Sequence, residues 1–151
     1  MKELRGSAST HTSAGVKECV GFFAAVEDYP SWYPEVVRSV EVLEQGAGGH
    51  TSKARAVLHL ARGPIVKDFD LVLEVVVQAG AVQLRRLAHD PSDQERFEVG
   101  WVARADVDTR LDLLLVATLS VPRLIPLGGV GDAIAGGFVT AASRALGDRH
   151  G

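Results

Sequence analysis

Apolar residues recur along this chain at two different periods, and the change of period marks its elements. Val16, Cys19, Val20, Phe23 and Val26 fall at helical spacing, so the residues after Ser13, a candidate cap, predict a helix with one apolar face. Before it, Arg5 to Thr12 is polar and partly β-branched, which predicts a first strand loosened by Gly6 and Ser7. Pro30 and Pro34 then bracket Tyr29, Trp32 and Tyr33, and each proline disfavours helical geometry in the residue before it. A regular helix must stop near Asp28, and a kinked aromatic corner follows. Beyond the corner Val40 and Val42 alternate with Ser39 and Glu41, the period of a half-buried strand over about Val37 to Gln45.

The alternation continues to residue 119. Gly46 to Gly49 predict a hairpin turn, after which Ala54, Ala56, Leu58 and Leu60 take one face while Lys53, Arg55, His59 and Arg62 take the other. Inward alanines in place of leucines leave volume in front of the strand, as a cavity wall would. Gly63 and Pro64 turn the chain into a run with Phe69, Leu71, Leu73, Val75 and Val77 inward and Asp68, Asp70 and Glu74 outward. After the turn at Gly80, Val82 and Leu84 face in, and by the same parity so does Arg86. The loop from His89 to Asp93 leads to Phe97, Val99, Trp101 and Ala103 inward, and a last strand carries Leu111, Leu113, Leu115, Ala117 and Leu119. Connections this short imply consecutive antiparallel strands, with one helical crossover between the first and second. A final helix from about Val130 to Leu146 has Ile134, Phe138, Ala141 and Ala145 as its inner stripe. Its mid-helix Gly136 and Gly137 are expected where the sheet or a bound molecule comes close. The prediction is an α+β fold in which this helix covers the apolar face of the sheet.

An amphipathic helix ending in Asp28-x-Pro30-x-Trp32-x-Pro34 and running into Val40-Glu41-Val42-Leu43-Glu44 resembles the START-like ligand-binding superfamily, also called SRPBCC. Within it the likeness is to the polyketide cyclase/dehydrase and coenzyme Q-binding group, and it is densest over Ala14 to Glu44. The resemblance implies a helix-grip fold: a curved antiparallel sheet of six to seven strands wrapped around a long C-terminal helix. It also implies an internal cavity for a small hydrophobic ligand such as a lipid, an isoprenoid quinone or a polyketide. No catalytic signature accompanies it, so an aromatase/cyclase closing a polyketide chain by aldol chemistry is the second reading.

Composition narrows this further. With 46% hydrophobic and 23% charged residues over 151 positions, one soluble globular domain is expected. The net charge is −3 and the 12 arginines are scattered, which argues against a nucleic-acid groove. A lone Cys19 forms no internal disulfide, and MKELRGSAST lacks an apolar signal core, so cytoplasmic residence is the expectation. No apolar run approaches the roughly 20 residues of a membrane-spanning helix. Peripheral membrane contact stays open, as does the choice between monomer and homodimer, for which the weakly charged last helix offers a surface.

Candidate site residues follow from the inward faces. Leu58, Phe69, Leu73, Ile134 and Phe138 are the apolar lining, and Trp32 and Tyr33 either border a cavity mouth or plug the end of the sheet. Phe97 and Trp101 either stack on a flat ligand or fill the core. An inward Arg86 needs a carboxylate partner or a polar group of the ligand, unless a bulge returns it to solvent. A cyclase would draw on Tyr33, Arg86 and His59, although His59 lies on the outward parity. The histidines are isolated from one another and from Cys19, so neither a metal nor another cofactor is expected. Cys19 reads as core, and no GxSxG elbow is present. GGVGDAIAGG lacks the spacing of a phosphate-binding loop. Asp68, Asp70 and Glu74 read as a solvated surface, and Leu124 to Val130, apolar and broken by proline, as a portal or docking loop.

Overall fold

A computed structural model of the chain describes residues 2–62, 65–119 and 127–150. Its elements are β1 (Lys2–Thr12), α1 (Val16–Ala24), a 3-10 turn (Val26–Asp28), α2 (Tyr29–Trp32), β2 (Val37–Gln45), β3 (Thr51–Arg62), β4 (Ile65–Gln78), β5 (Ala81–Arg86), β6 (Phe97–Ala105), β7 (Thr109–Leu119) and α3 (Val130–His150). The strands form one curved seven-stranded sheet in the order β1-β7-β6-β5-β4-β3-β2, antiparallel throughout. β2 to β7 follow one another as a meander. β1 joins the far edge beside β7, in register from Lys2 opposite Leu119 to Thr12 opposite Thr109. α1 and α2 are therefore the crossover, carrying the chain from one edge of the sheet to the other.

The inward parity holds on every inner strand. Ala54, Ala56, Leu58 and Leu60, then Leu71, Leu73 and Val75, and later Leu111, Leu113 and Leu115 are all buried in one core with residues of α1 and α3. The opposite face carries the cross-strand pairs Arg55–Asp70 and His59–Asp68, as a solvated sheet surface should. At the β2–β3 turn Gly48 and Gly49 adopt φ of 94° and 83°, which a side chain would resist.

Four local expectations are corrected. α1 starts at Val16 with Gly15 at its cap position and no side-chain cap, so Ser13 does not cap it. Phe22 joins Cys19, Phe23 and Ala24 on its buried face because the corner folds back over it, with Trp32 stacked at 5.2 Å. Val42 is 38% exposed: β2 is an edge strand with three shifts of register, which spoil the strict alternation. The buried band of α3 is broader than the expected stripe and rotated from it. Ile134, Ala135, Phe138, Val139, Ala142 and Leu146 are buried, whereas Ala141 and Ala145 are only half-buried.

Close approach of helix and sheet occurs, but at Gly131 and not at Gly136. A Cβ on Gly136 would meet nothing within 4 Å, whereas one on Gly131 would lie 2.0 Å from the Arg5 carbonyl oxygen and one on Gly6 2.0 Å from the Gly131 carbonyl oxygen. Asp132 fixes the same junction by accepting the Ser7 backbone N–H at 3.0 Å. The Gly63–Pro64 turn, residues 124–126 of the expected portal, and the side chains of Arg62 and Leu119 lie outside the described residues.

Candidate functional site

The aromatic corner is built by local hydrogen bonds around its prolines. Pro30 sits in the first turn of α2, where a missing N–H costs nothing, and the Tyr33 N–H closes that turn on the Tyr29 carbonyl at 2.8 Å. The Tyr29 hydroxyl donates to the Phe23 carbonyl at 2.7 Å, tying α2 to α1. Burial pushes the Tyr29 phenol far above its ordinary pKa, against a smaller opposing pull from the Trp101 indole, so it stays a neutral donor. Trp32, Tyr33 and Phe138 then meet on the middle of α3, with Tyr33 edge-on to Phe138 at 4.6 Å.

Between the sheet and α3 the closure is incomplete. One space of about 30 Å³ lies among Leu58, Phe69, Phe97, Ile134 and Phe138, together with Leu4, Val36, Leu60, Leu115 and Ala117. A second, of about 20 Å³, lies among Leu58, Leu73, Phe97 and Phe138 and is bounded by Val26, Tyr29, Ala54 and Ala56. No polar atom reaches the surface of either. Leu58, Phe97 and Phe138 border both spaces and form the partition between them. Each space could hold one water by volume but offers it no hydrogen-bond partner. The hollow is far smaller than the expected ligand-sized cavity. Val26 and Tyr29 share the lining of the second space with Ala54 and Ala56.

The remaining candidates are placed as follows. Trp101 is 2% exposed and lines neither space; it stacks on Phe23 with centroids 3.8 Å apart, the core-filling alternative. Among the described residues, the Nε1 of Trp32 has no acceptor in hydrogen-bond geometry. Arg86 keeps its inward parity at the end of β5 but meets a carboxylate: Nη2 donates to Asp93 Oδ2 at 2.5 Å and Nη1 to the Glu95 carbonyl at 3.0 Å. That pair, with N–H donors from His89 and Glu95, holds Asp93 well below the usual carboxylate range. Arg86 borders neither internal space. His59 faces outward with Nδ1 2.6 Å from Asp68 Oδ1. Cys19 is buried, and desolvation, then the Glu18 charge, pushes its thiol up to about 11, so it offers no nucleophile. No cluster of three metal-ligating side chains occurs among the described residues, and none of their helices is long and apolar enough to cross a membrane.

No protein-family model matches the chain, and neither does any curated protein. Solved structures do. A START superfamily protein from Mycobacterium smegmatis superposes with a TM-score of 0.68 at 18% identity, over 96% of this chain and 95% of that one. The Zhui aromatase/cyclase from Streptomyces sp. R1128 gives 0.72 at 16% identity, over 99% and 97%. The fold is START-like. A third likeness, to the di-domain aromatase/cyclase StfQ of the steffimycin pathway, has a TM-score of 0.61 at 11% identity and covers 98% of this chain but 52% of that one.

Within this START-like frame, Leu58, Phe69, Leu73, Phe97, Ile134 and Phe138 come together around the two spaces, and Trp32 and Tyr33 pack against Phe138. Sequence reasoning missed Leu4 and Val36, which precede the expected strand starts, and passed over Leu60, Leu115 and Ala117, whose inward parity was the available signal.

Proposed function

We propose that this protein binds a small, largely apolar molecule between the sheet and α3. The observation that carries this reading is the pair of wholly apolar spaces separated by three side chains, Leu58, Phe97 and Phe138, that make no polar commitment. Pockets for drug-sized ligands measure roughly 300 Å³ or more, so binding moves the partition aside and joins the spaces, as a ligand does when it draws out a minor open conformation. Apolar burial then supplies most of the affinity. A lipid, an isoprenoid quinone or a polyketide fits that description.

The second reading, aromatase/cyclase, draws support from the names of two solved neighbours. Its proposed proton-transfer groups fare less well: Arg86 is engaged by Asp93 and His59 by Asp68, both away from the apolar spaces. Binding without turnover is therefore the stronger proposal.

Thermal unfolding with increasing concentrations of a lipid, a quinone and an aromatic polyketide tests it. At least one should raise the Tm progressively with concentration and be retained in native mass spectrometry. Absence of both effects for all three classes would overturn the reading, and turnover of a polyketide thioester would promote the second.

A further inference from the structure

Three side chains part the two internal spaces, and they are not held alike. Phe138 is 3% exposed on the middle of α3 and is gripped by ring contacts with Trp32, Tyr33 and Trp101. Leu58 is 5% exposed and lies on an inner strand, opposite Val37 on one side and Phe69 on the other. Phe97 is held by less. It is only half-buried, and among the described residues it makes no aromatic ring contact. It is the first residue of β6, where the irregular connection of residues 87–96 ends, so it already reaches the surface. Its neighbour across on β7 is Ala117, which has no bulk to wedge a ring in place. The backbone beside it is fixed, because the Arg96 N–H donates to Thr118 Oγ1 at 2.8 Å and the Thr118 N–H donates to the Arg96 carbonyl at 3.0 Å. Moving Phe97 therefore takes the rotation of one side chain and no shift of a strand.

We propose that Phe97 is a gate inside the binding site: rotation of its ring toward solvent joins the two spaces into one slot, whose standing walls are Leu58 and Phe138. This rests on the ligand-binding reading above and adds how that site is regulated. With the gate shut, neither space takes more than one water by volume. With it open, the slot extends from Leu4 and Leu115, which border the first space, to Val26 and Tyr29, which border the second. A ligand that reaches across both must displace the ring, and its own apolar surface then covers the lining that the ring leaves. Binding to a state that is only fractionally populated is weakened by that fraction. A side chain at position 97 too short to span the partition removes the penalty, whereas the same change cannot help if another member of the partition moves.

Fluorine NMR of the protein carrying 4-fluorophenylalanine at its five phenylalanines reads the gate directly, each signal being assigned by replacing that residue with leucine. Decanol, an apolar chain with no aromatic ring current of its own, is the probe. Saturating decanol should move the Phe97 signal furthest of the five, and a larger movement at Phe138 than at Phe97 would overturn the gate. In fluorescence titrations Phe97→Ala should bind N-phenyl-1-naphthylamine, an uncharged apolar fluorophore, about tenfold more tightly than wild type. Phe97→Leu keeps an apolar side chain, should change affinity in the same direction by less, and carries the test if the alanine variant does not fold. Unchanged or weaker binding in the folded variants would overturn the gate. Failure of both decanol and the fluorophore to bind wild type and variants alike would remove the binding reading itself, a distinct result.

Discussion

A methyl group at position 131 would sit 2.0 Å from a backbone oxygen of β1, and backbone cannot step aside as a flexible side chain can. At position 136 the same methyl would meet open space within the same helix. The two substitutions should therefore move stability in opposite directions. Gly136→Ala removes a mid-helix glycine and should stabilise by about 1 kcal/mol. Gly131→Ala overpacks the junction and should destabilise by about 1–3 kcal/mol. Urea unfolding of the two variants checks both signs. Glycine in the sequence signals that a side chain is missing, and the distance to the neighbouring strand decides whether the absence matters.

At the scale of elements, two acidic side chains tie strands and loops together. Asp93 fastens the β5–β6 connection to Arg86, and Asp112 on β7 gathers Ser9 of β1, Arg104 of β6 and its own neighbour Arg110. Desolvation pushes the Asp112 carboxyl up, but the hydrogen bonds from Ser9, Arg104 and Arg110 outweigh it and lower its pKa to about 2. Asp93 is also depressed, chiefly by its hydrogen bond from Arg86. A carboxyl whose folded pKa lies below its unfolded value of about 3.9 stabilises the fold above that pH and loses the contribution as pH falls through the folded pKa. The urea midpoint should drop as pH is lowered from about 4 to about 2, and Asp112→Asn should make that drop shallower. Asp93→Asn should do the same and raise hydrogen exchange in the connection from Leu87 to Arg96. Strand parity made Arg86 legible as inward; the identity of its partner depended on how an irregular loop folds back.

At the scale of the whole molecule, packing and binding draw on the same side chains. Phe138 borders both internal spaces and makes ring contacts with Trp32, Tyr33 and Trp101. Phe138→Ala should cost about 3–5 kcal/mol in the free protein, since it removes a buried ring and leaves a cavity. The enlarged hollow should then gain more from an apolar ligand. Calorimetric scans with and without N-phenyl-1-naphthylamine should show a larger rise in Tm for the variant than for wild type, and an equal or smaller rise would separate the partition from the binding site.

The amino-acid sequence by itself determined the strand faces, the turns and the aromatic corner, because side-chain alternation and the φ of proline are set within a few residues. The resemblance, densest over Ala14 to Glu44, extended that to the fold. Tertiary structure alone decided how much room the inward residues leave and that Arg86 spends its charge on Asp93. Empty volume is a small difference between the space enclosed by the elements and the atoms that fill it. No local pattern records that difference.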